Sequence, residues 1–289
     1  MDFRTKIDIP KQNFDIDYSS KILLMGSCFT TQIGEILQDY KFNTVVNPFG
    51  VLYNPYSIRN SIEFLTTDKE FTTKDIIQTN PTDKISQEKY ASFFHHSSFA
   101  RLSKKEFLEN ANEHLCKASQ FLKAADTVII TLGTSWIYKL KENGMVVSNC
   151  HKRLSSEFTR ERMTTSQVKQ ALENIINMLP DKKIIFTVSP IRHFKDGAHQ
   201  NTISKATLQL AIEEIVQEHN NHKICYFPSY EIIIDELRDY RFYAEDMVHP
   251  SDVAVKYIFE RFKETFIPES QYEQMKQNLK ITKREKHRE

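Results

Sequence analysis

Five short, largely apolar runs limit how this chain can fold. They are Ile22-Leu23-Leu24-Met25, Asn43-Thr44-Val45-Val46, Val128-Ile129-Ile130-Thr131-Leu132, Ile184-Ile185-Phe186-Thr187-Val188 and Ile224-Cys225-Tyr226-Phe227. Each is too short for a buried helix, and none alternates polar with apolar residues. Such runs suit strands covered on both faces of a parallel sheet. The intervening segments carry the helical period: Ile33, Ile36, Leu37 and Tyr40; Val168, Leu172, Ile175, Ile176 and Leu179; Leu208, Ala211, Ile212 and Ile215; Val255, Ile258, Phe259 and Phe262. Strands alternating with amphipathic helices give an α/β fold, a parallel sheet wrapped by helices.

Residues 57–123 break this rhythm with a threonine-rich stretch, then Phe93-Phe94-His95-His96. A long helix follows, with Phe107, Ala111, Leu115, Ala118 and Leu122 on one face. The segment is expected to be a helical insertion between the second and third strands, serving as a lid or a substrate wall. The end of the chain, residues 268–289, is polar and finally basic (Lys280, Lys283, Arg284, Lys286, Arg288), the pattern of a frayed, solvated helix rather than a nucleic-acid arm. One α/β domain over residues 1–267 followed by this tail is the expected organisation.

Charge and cysteine usage narrow the function classes. A net charge of +1 gives no global field, so neither nucleic acid nor an anionic membrane is indicated as a partner. No apolar run reaches the length of a membrane span, and the first residues lack the apolar core of a signal peptide. Cys28, Cys116, Cys150 and Cys225 are scattered, with no Cys-x-x-Cys pair. They read as free thiols in a reducing compartment, which makes a cytoplasmic location the expectation and a zinc site or disulfide framework not.

Two constellations carry chemistry. Gly26-Ser27-Cys28-Phe29 lies between a buried strand and an amphipathic helix, so Ser27 would sit where helix N–H groups stabilise negative charge. A plain helix cap explains the same serine. Asp246-Met247-Val248-His249 follows the last strand. A carboxylate three residues before a histidine can accept its Nδ1–H and leave Nε2 free to take a hydroxyl proton. In a parallel sheet the carboxyl ends of all strands share one edge, so residues distant in sequence converge there. Cys28 is read as a small structural thiol, because neighbours in a tight turn point in different directions.

Gly26-Ser27-Cys28-Phe29-Thr30 resembles the signature of the GSCFA family, whose last residue is usually Ala. Further likeness lies in Asn47-Pro48-Phe49-Gly50, Asn149-Cys150-His151-Lys152, Ser189-Pro190-Ile191-Arg192-His193 and the run from Tyr226 to Pro250. The resemblance spans nearly the whole chain to about Phe266. It implies the SGNH (GDSL-like) hydrolase fold, a flavodoxin-like three-layer structure with strand order 2-1-3-4-5. It also implies Ser27 as nucleophile, Asp246 and His249 as its activating pair, and the N–H groups of Ser27 and Gly50 as oxyanion donors. The family's third-strand motif, Gly-x-Asn-Asp, reads Gly133-Thr134-Ser135-Trp136 here. Ser135 therefore stands where the asparagine donor is expected, with Thr134 or Asn47 as substitutes.

Around these, Arg192 and His193 either bind an anionic part of the substrate or pair structurally, and His95 and His96 are candidates for the pocket lining. Trp136 is a core residue or a stacking platform for a sugar. The implied activity is hydrolysis of acyl esters, acetyl esters of carbohydrates among them, with no cofactor and no metal. Transfer of the acyl group to a sugar, or carbohydrate binding by a degenerate site, are the alternatives. The partner is a small-molecule or carbohydrate ester; nothing in the sequence specifies an oligomeric state.

Overall fold

The computed structural model describes residues 5–79, 87–219 and 223–286. In chain order its regular elements are β1 (Lys21–Gly26), α1 (Cys28–Asp39), β2 (Asn43–Val46), α2 (Pro55–Thr66), β3 (Ile77–Gln78), β4 (Tyr90–Ala91), α3 (Lys104–Ala124) and β5 (Thr127–Leu132). There follow β6 (Trp136–Leu140), β7 (Val146–Val147), β8 (Phe158–Arg162), α4 (Thr165–Met178), β9 (Lys183–Val188) and α5 (Gly197–Glu218). The chain continues through β10 (Ile224–Phe227), α6 (Ser229–Glu231), α7 (Asp252–Phe266) and α8 (Tyr272–Lys286).

The five apolar runs are the five strands of one parallel sheet, in spatial order β2-β1-β5-β9-β10. Counting only these strands, the order is 2-1-3-4-5, as the family resemblance implies. Alternate residues of each strand feed two cores, which is why the runs show no polar alternation. Leu23, Met25, Val128, Ile130 and Phe186 pack under α2, α3, α4 and α5. Ile22, Leu24, Ile129, Ile185 and Phe227 pack under α1 and α7. The result is three layers with every strand's carboxyl end on one edge.

Three expectations change. The helix of residues 104–124 is not a lid: Phe107, Ala111, Leu115, Ala118 and Leu122 form its buried stripe, and it is part of one helical layer. The wall beside the carboxyl edge is instead a three-stranded antiparallel sheet, β7-β6-β8, inserted between β5 and α4. The final helix is not frayed. Met275 and Thr282 of α8 are buried, Thr282 Oγ1 donates to Asp39 O (2.8 Å) and Asn278 Nδ2 donates to Tyr40 O (3.1 Å). In this way α8 satisfies carbonyls that the end of α1 would leave unpaired. No helix among the described residues is long and apolar enough to cross a membrane.

Candidate active site

The β1–α1 corner begins with Gly26 at φ +147, where an added Cβ would stand 2.2 Å from Thr131 O; the close approach of β1 to β5 requires glycine. The ladder runs one residue further, since Ser27 N–H donates to Thr131 O at 3.2 Å. Ser27 is therefore still held in the sheet edge. Its side chain is fully buried and its hydroxyl donates to Ser189 Oγ at 3.0 Å, with no capping bond to α1. Cys28, the first helical residue, projects outward. Its Sγ lies 3.8 Å from His249 Nε2. The expectation that Ser27 faces His249 is thus corrected: neighbours in the turn do point differently, and the outward one is the cysteine.

Asp246 and His249 are in direct contact. Asp246 Oδ2 accepts from His249 Nδ1 at 2.6 Å, while its Oδ1 accepts the N–H groups of Val248 and His249, both at 2.9 Å. Met247 at φ +56 makes the reversal that brings these groups together. The N–H groups of His249 and Val248, then the imidazole, hold the Asp246 carboxyl down at about 2. An ionised carboxylate only accepts, so Nδ1 carries a proton and the ring turns Nε2 toward the thiol. Arg192 N–H, donating to Val248 O (3.2 Å), ties this loop to the end of β9.

Cys28 and His249 open onto a cleft of about 350 Å³, which Tyr53, Asn54, Trp136 and His193 also line. Burial pushes the Cys28 thiol up. The N–H groups of Cys28 and Phe29, the Tyr53 hydroxyl and the Lys205 ammonium act in the opposite direction. Burial, then Cys28, pushes Tyr53 up to about 12. Burial thus favours the neutral thiol at rest.

Other expected site residues fall into three places. Thr134 and His193 line the cleft; burial, then the Lys205 charge, pushes His193 down to about 4. Gly133 lies beneath it: its N–H and that of Thr134 donate to Tyr53 O (2.8 and 3.0 Å), and its own carbonyl accepts from Lys205. The rest are elsewhere. Gly50 N–H is spent on Asn47 O at 2.7 Å, and Gly50 lines a separate groove with Asn47 and His96. Asn47 clamps the strand ends together, accepting from Gly26 N–H at 2.8 Å. Ser135 is fully buried, its N–H and hydroxyl both donating to Ser204 Oγ (2.8 and 3.0 Å). His95 is a core histidine among Phe49, Phe71, Phe99 and Phe107, bonded through Nδ1 to Ser92 and pushed by burial down to about 3. His151 is likewise buried, on Ser92 O, with Asn149 accepting its N–H. Arg192 stacks on Phe194 and lines a shallow surface pocket with Tyr240 and Tyr243.

The sequence reading missed several residues. Tyr138 of β6 and Arg160 of β8 form the cleft wall together with Trp136, which the sequence offers as core or as a stacking platform; the Arg160 guanidinium lies 4.5 Å from the Trp136 ring and pairs with Asp196. Asn143-Gly144, with Gly144 at φ +73, was the hairpin signal for this sheet. Lys205 is fully buried, its ammonium donating to Gly133 O (2.7 Å) and Ser189 O (2.8 Å). It stands in phase with the buried stripe of Leu208, Ala211, Ile212 and Ile215, an unusual position for a lysine. No group of three or more His, Cys, Asp or Glu among the described residues is placed to hold a metal ion.

The GSCFA family matches residues 21–262, which takes in the strands of the main sheet, the Cys28 corner and the His249 loop. The chain belongs to the GSCFA family. Among solved structures, this GSCFA protein is similar to an acetyl xylan esterase from the rumen bacterium Butyrivibrio proteoclasticus (12% identity, TM-score 0.42, 86% of this chain and 64% of that one). It therefore spans less than two thirds of that esterase. It is also similar to a family 3 carbohydrate esterase from Clostridium thermocellum (11%, 0.38, 85% and 94%) and one from Talaromyces cellulolyticus (8%, 0.38, 85% and 95%). No curated protein sequence matches it.

Proposed function

We propose that this GSCFA protein is an acyl-ester hydrolase of SGNH type in which Cys28 replaces serine as the nucleophile, with His249 as base and Asp246 as its anchor. The observation that carries the reading is the alignment of Cys28 Sγ, His249 Nε2, His249 Nδ1 and Asp246 Oδ2 at 3.8 and 2.6 Å on the edge of one cleft. A thiol whose pKa burial raises needs such a base. As sulfur bonds to the acyl carbon, its proton passes to Nε2 and the carbonyl π pair moves onto oxygen. Collapse re-forms the C=O bond and expels the alkoxide, which takes the proton from Nε2. Water, giving a proton to the same nitrogen, then attacks the thioester, and the departing sulfur recovers that proton. The N–H groups of Cys28 and Phe29 at the start of α1 favour the negative charge.

A cleft of about 350 Å³ is in the range of a small ester rather than a polymer segment. Its aromatic wall, Trp136 and Tyr138, beside polar Ser148 and Asn201, suits a short acyl group on a sugar-like alcohol. A thioester intermediate also passes readily to amines and thiols, so acyl transfer is the second reading, and added acceptors would reveal it in the products. The test is acetyl transfer from p-nitrophenyl acetate, mapped by mass spectrometry. Acetyl on Cys28 that is lost in His249→Ala supports the proposal. Acetyl on Ser27, or on Cys28 irrespective of His249, would sink it.

A further inference from the structure

None of the three expected oxyanion donors is free: Ser27 N–H is bonded to Thr131 O, Gly50 N–H to Asn47 O, and the donors of Ser135 to Ser204 Oγ. A different side chain is in place. Asn54 is only 6% exposed and lines the cleft beside Cys28, Tyr53 and His249. Its orientation follows from chemistry. The atom 2.9 Å from Ser57 N–H must be an acceptor, so it is Oδ1, and the amide nitrogen lies on the opposite side of the group. That nitrogen has no hydrogen-bond acceptor among the described residues. The backbone holding it is fixed from two directions. Tyr53 O accepts from Gly133 N–H and Thr134 N–H, tying the segment to the end of β5, and Pro55 opens α2 immediately afterwards.

We propose that Asn54 is a catalytic residue whose Nδ2–H₂ donates to the oxyanion formed when Cys28 attacks an acyl carbon. This rests on the thiol-hydrolase reading above. One side chain then has two duties: its oxygen caps α2, and that bond aims its nitrogen at the reacting oxygen. No proton moves at Asn54; it stabilises charge as the π pair shifts onto oxygen and releases it on collapse.

Two substitutions separate the duties. Asn54→Asp and Asn54→Ser both keep an oxygen for Ser57 N–H and remove the amide donor. Each variant is compared with wild type for acetylation of Cys28 by p-nitrophenyl acetate and for disulfide formation at Cys28 with methyl methanethiosulfonate, which creates no oxyanion. The expected result is acetylation slower by ~10²–10³-fold in both variants, with disulfide formation and thermal midpoint unchanged. Acetylation within a few-fold of wild type would overturn the role of Asn54 and leave Cys28 as nucleophile. Equal slowing of both reactions would overturn it too, since Asn54 would then position the thiol. A wild-type Cys28 that takes the disulfide reagent but never acetyl would remove the hydrolase reading itself, and Asn54 with it.

Discussion

Replacing Lys205 with methionine should change how stability depends on pH more than it changes stability. In the native state this ammonium is fully buried and forms no salt bridge among the described residues; burial pushes it down to about 7, with Cys28 and Glu231 acting the other way. The unfolded chain titrates it at the ordinary 10.5, so between pH 7 and 10.5 the unfolded state binds more protons. Stability must therefore rise with pH across that window, by roughly 5 kcal/mol in total and about 2 kcal/mol of it between pH 7 and 9. Methionine removes the charge but leaves Gly133 O and Ser189 O without this donor, at about 1–3 kcal/mol each. The two effects nearly offset at neutral pH, so the variant should fold. Urea denaturation at pH 7, 8 and 9 for both proteins gives the decisive quantity, the difference in slope, in which other titrating groups cancel. A wild-type curve that rises about 2 kcal/mol more than the variant's over this range is expected. Parallel curves would refute the assignment of Lys205 as a buried, uncompensated cation.

Three further outcomes follow from the site. Ser27→Ala removes a buried hydrogen bond to Ser189 and should cost about 1–2 kcal/mol in urea denaturation while leaving Cys28 acetylation intact. Asp246→Asn should lower turnover by ~10⁴ through the wrong imidazole tautomer. Because Asp246 stays ionised to about pH 2, the wild-type pH–rate profile should show no inflection near pH 4 traceable to this carboxylate. Gly133→Ala places a Cβ 3.2 Å from both the ring and the carbonyl oxygen of Tyr53, so the Tyr53–Asn54 segment must give way. It should lose about 1–3 kcal/mol in a thermal melt and slow Cys28 acetylation, unlike Ser27→Ala.

The sheet was legible because four of its strands, β1, β5, β9 and β10, are largely buried on both sides and read as apolar runs separated by helices of period 3.6; β2, at the edge, is only partly covered. The β6–β8 sheet was not, although Asn143-Gly144 marks its turn. Trp136, Tyr138, Arg160 and Arg162 give it one amphipathic face that meets the cleft, so neither a clean alternation nor a continuous run appears. The docked α8 was hidden for a similar reason. Only Met275 and Thr282 are buried, and its hold on α1 comes largely from polar groups meeting the carbonyls of Asp39 and Tyr40.

At the site, local chemistry was readable and register was not. Asp246 and His249 are three residues apart, and their contact depends only on a tight loop that such a spacing permits. Which side chain faces His249 depends on where a strand stops. Had the ladder ended at Gly26, Ser27 would open the helix and face outward; instead Ser27 N–H makes one more bond to Thr131 O, and the outward position passes to Cys28. That extra rung is secured by contacts remote in sequence, with Asn47 holding Gly26 N–H and Ser189 receiving the Ser27 hydroxyl. A single-residue register shift decides whether an alcohol or a thiol faces His249. The Ser27→Ala variant and the mapping of acetyl between Ser27 and Cys28 therefore test the placement of the β1 terminus as directly as they test the mechanism.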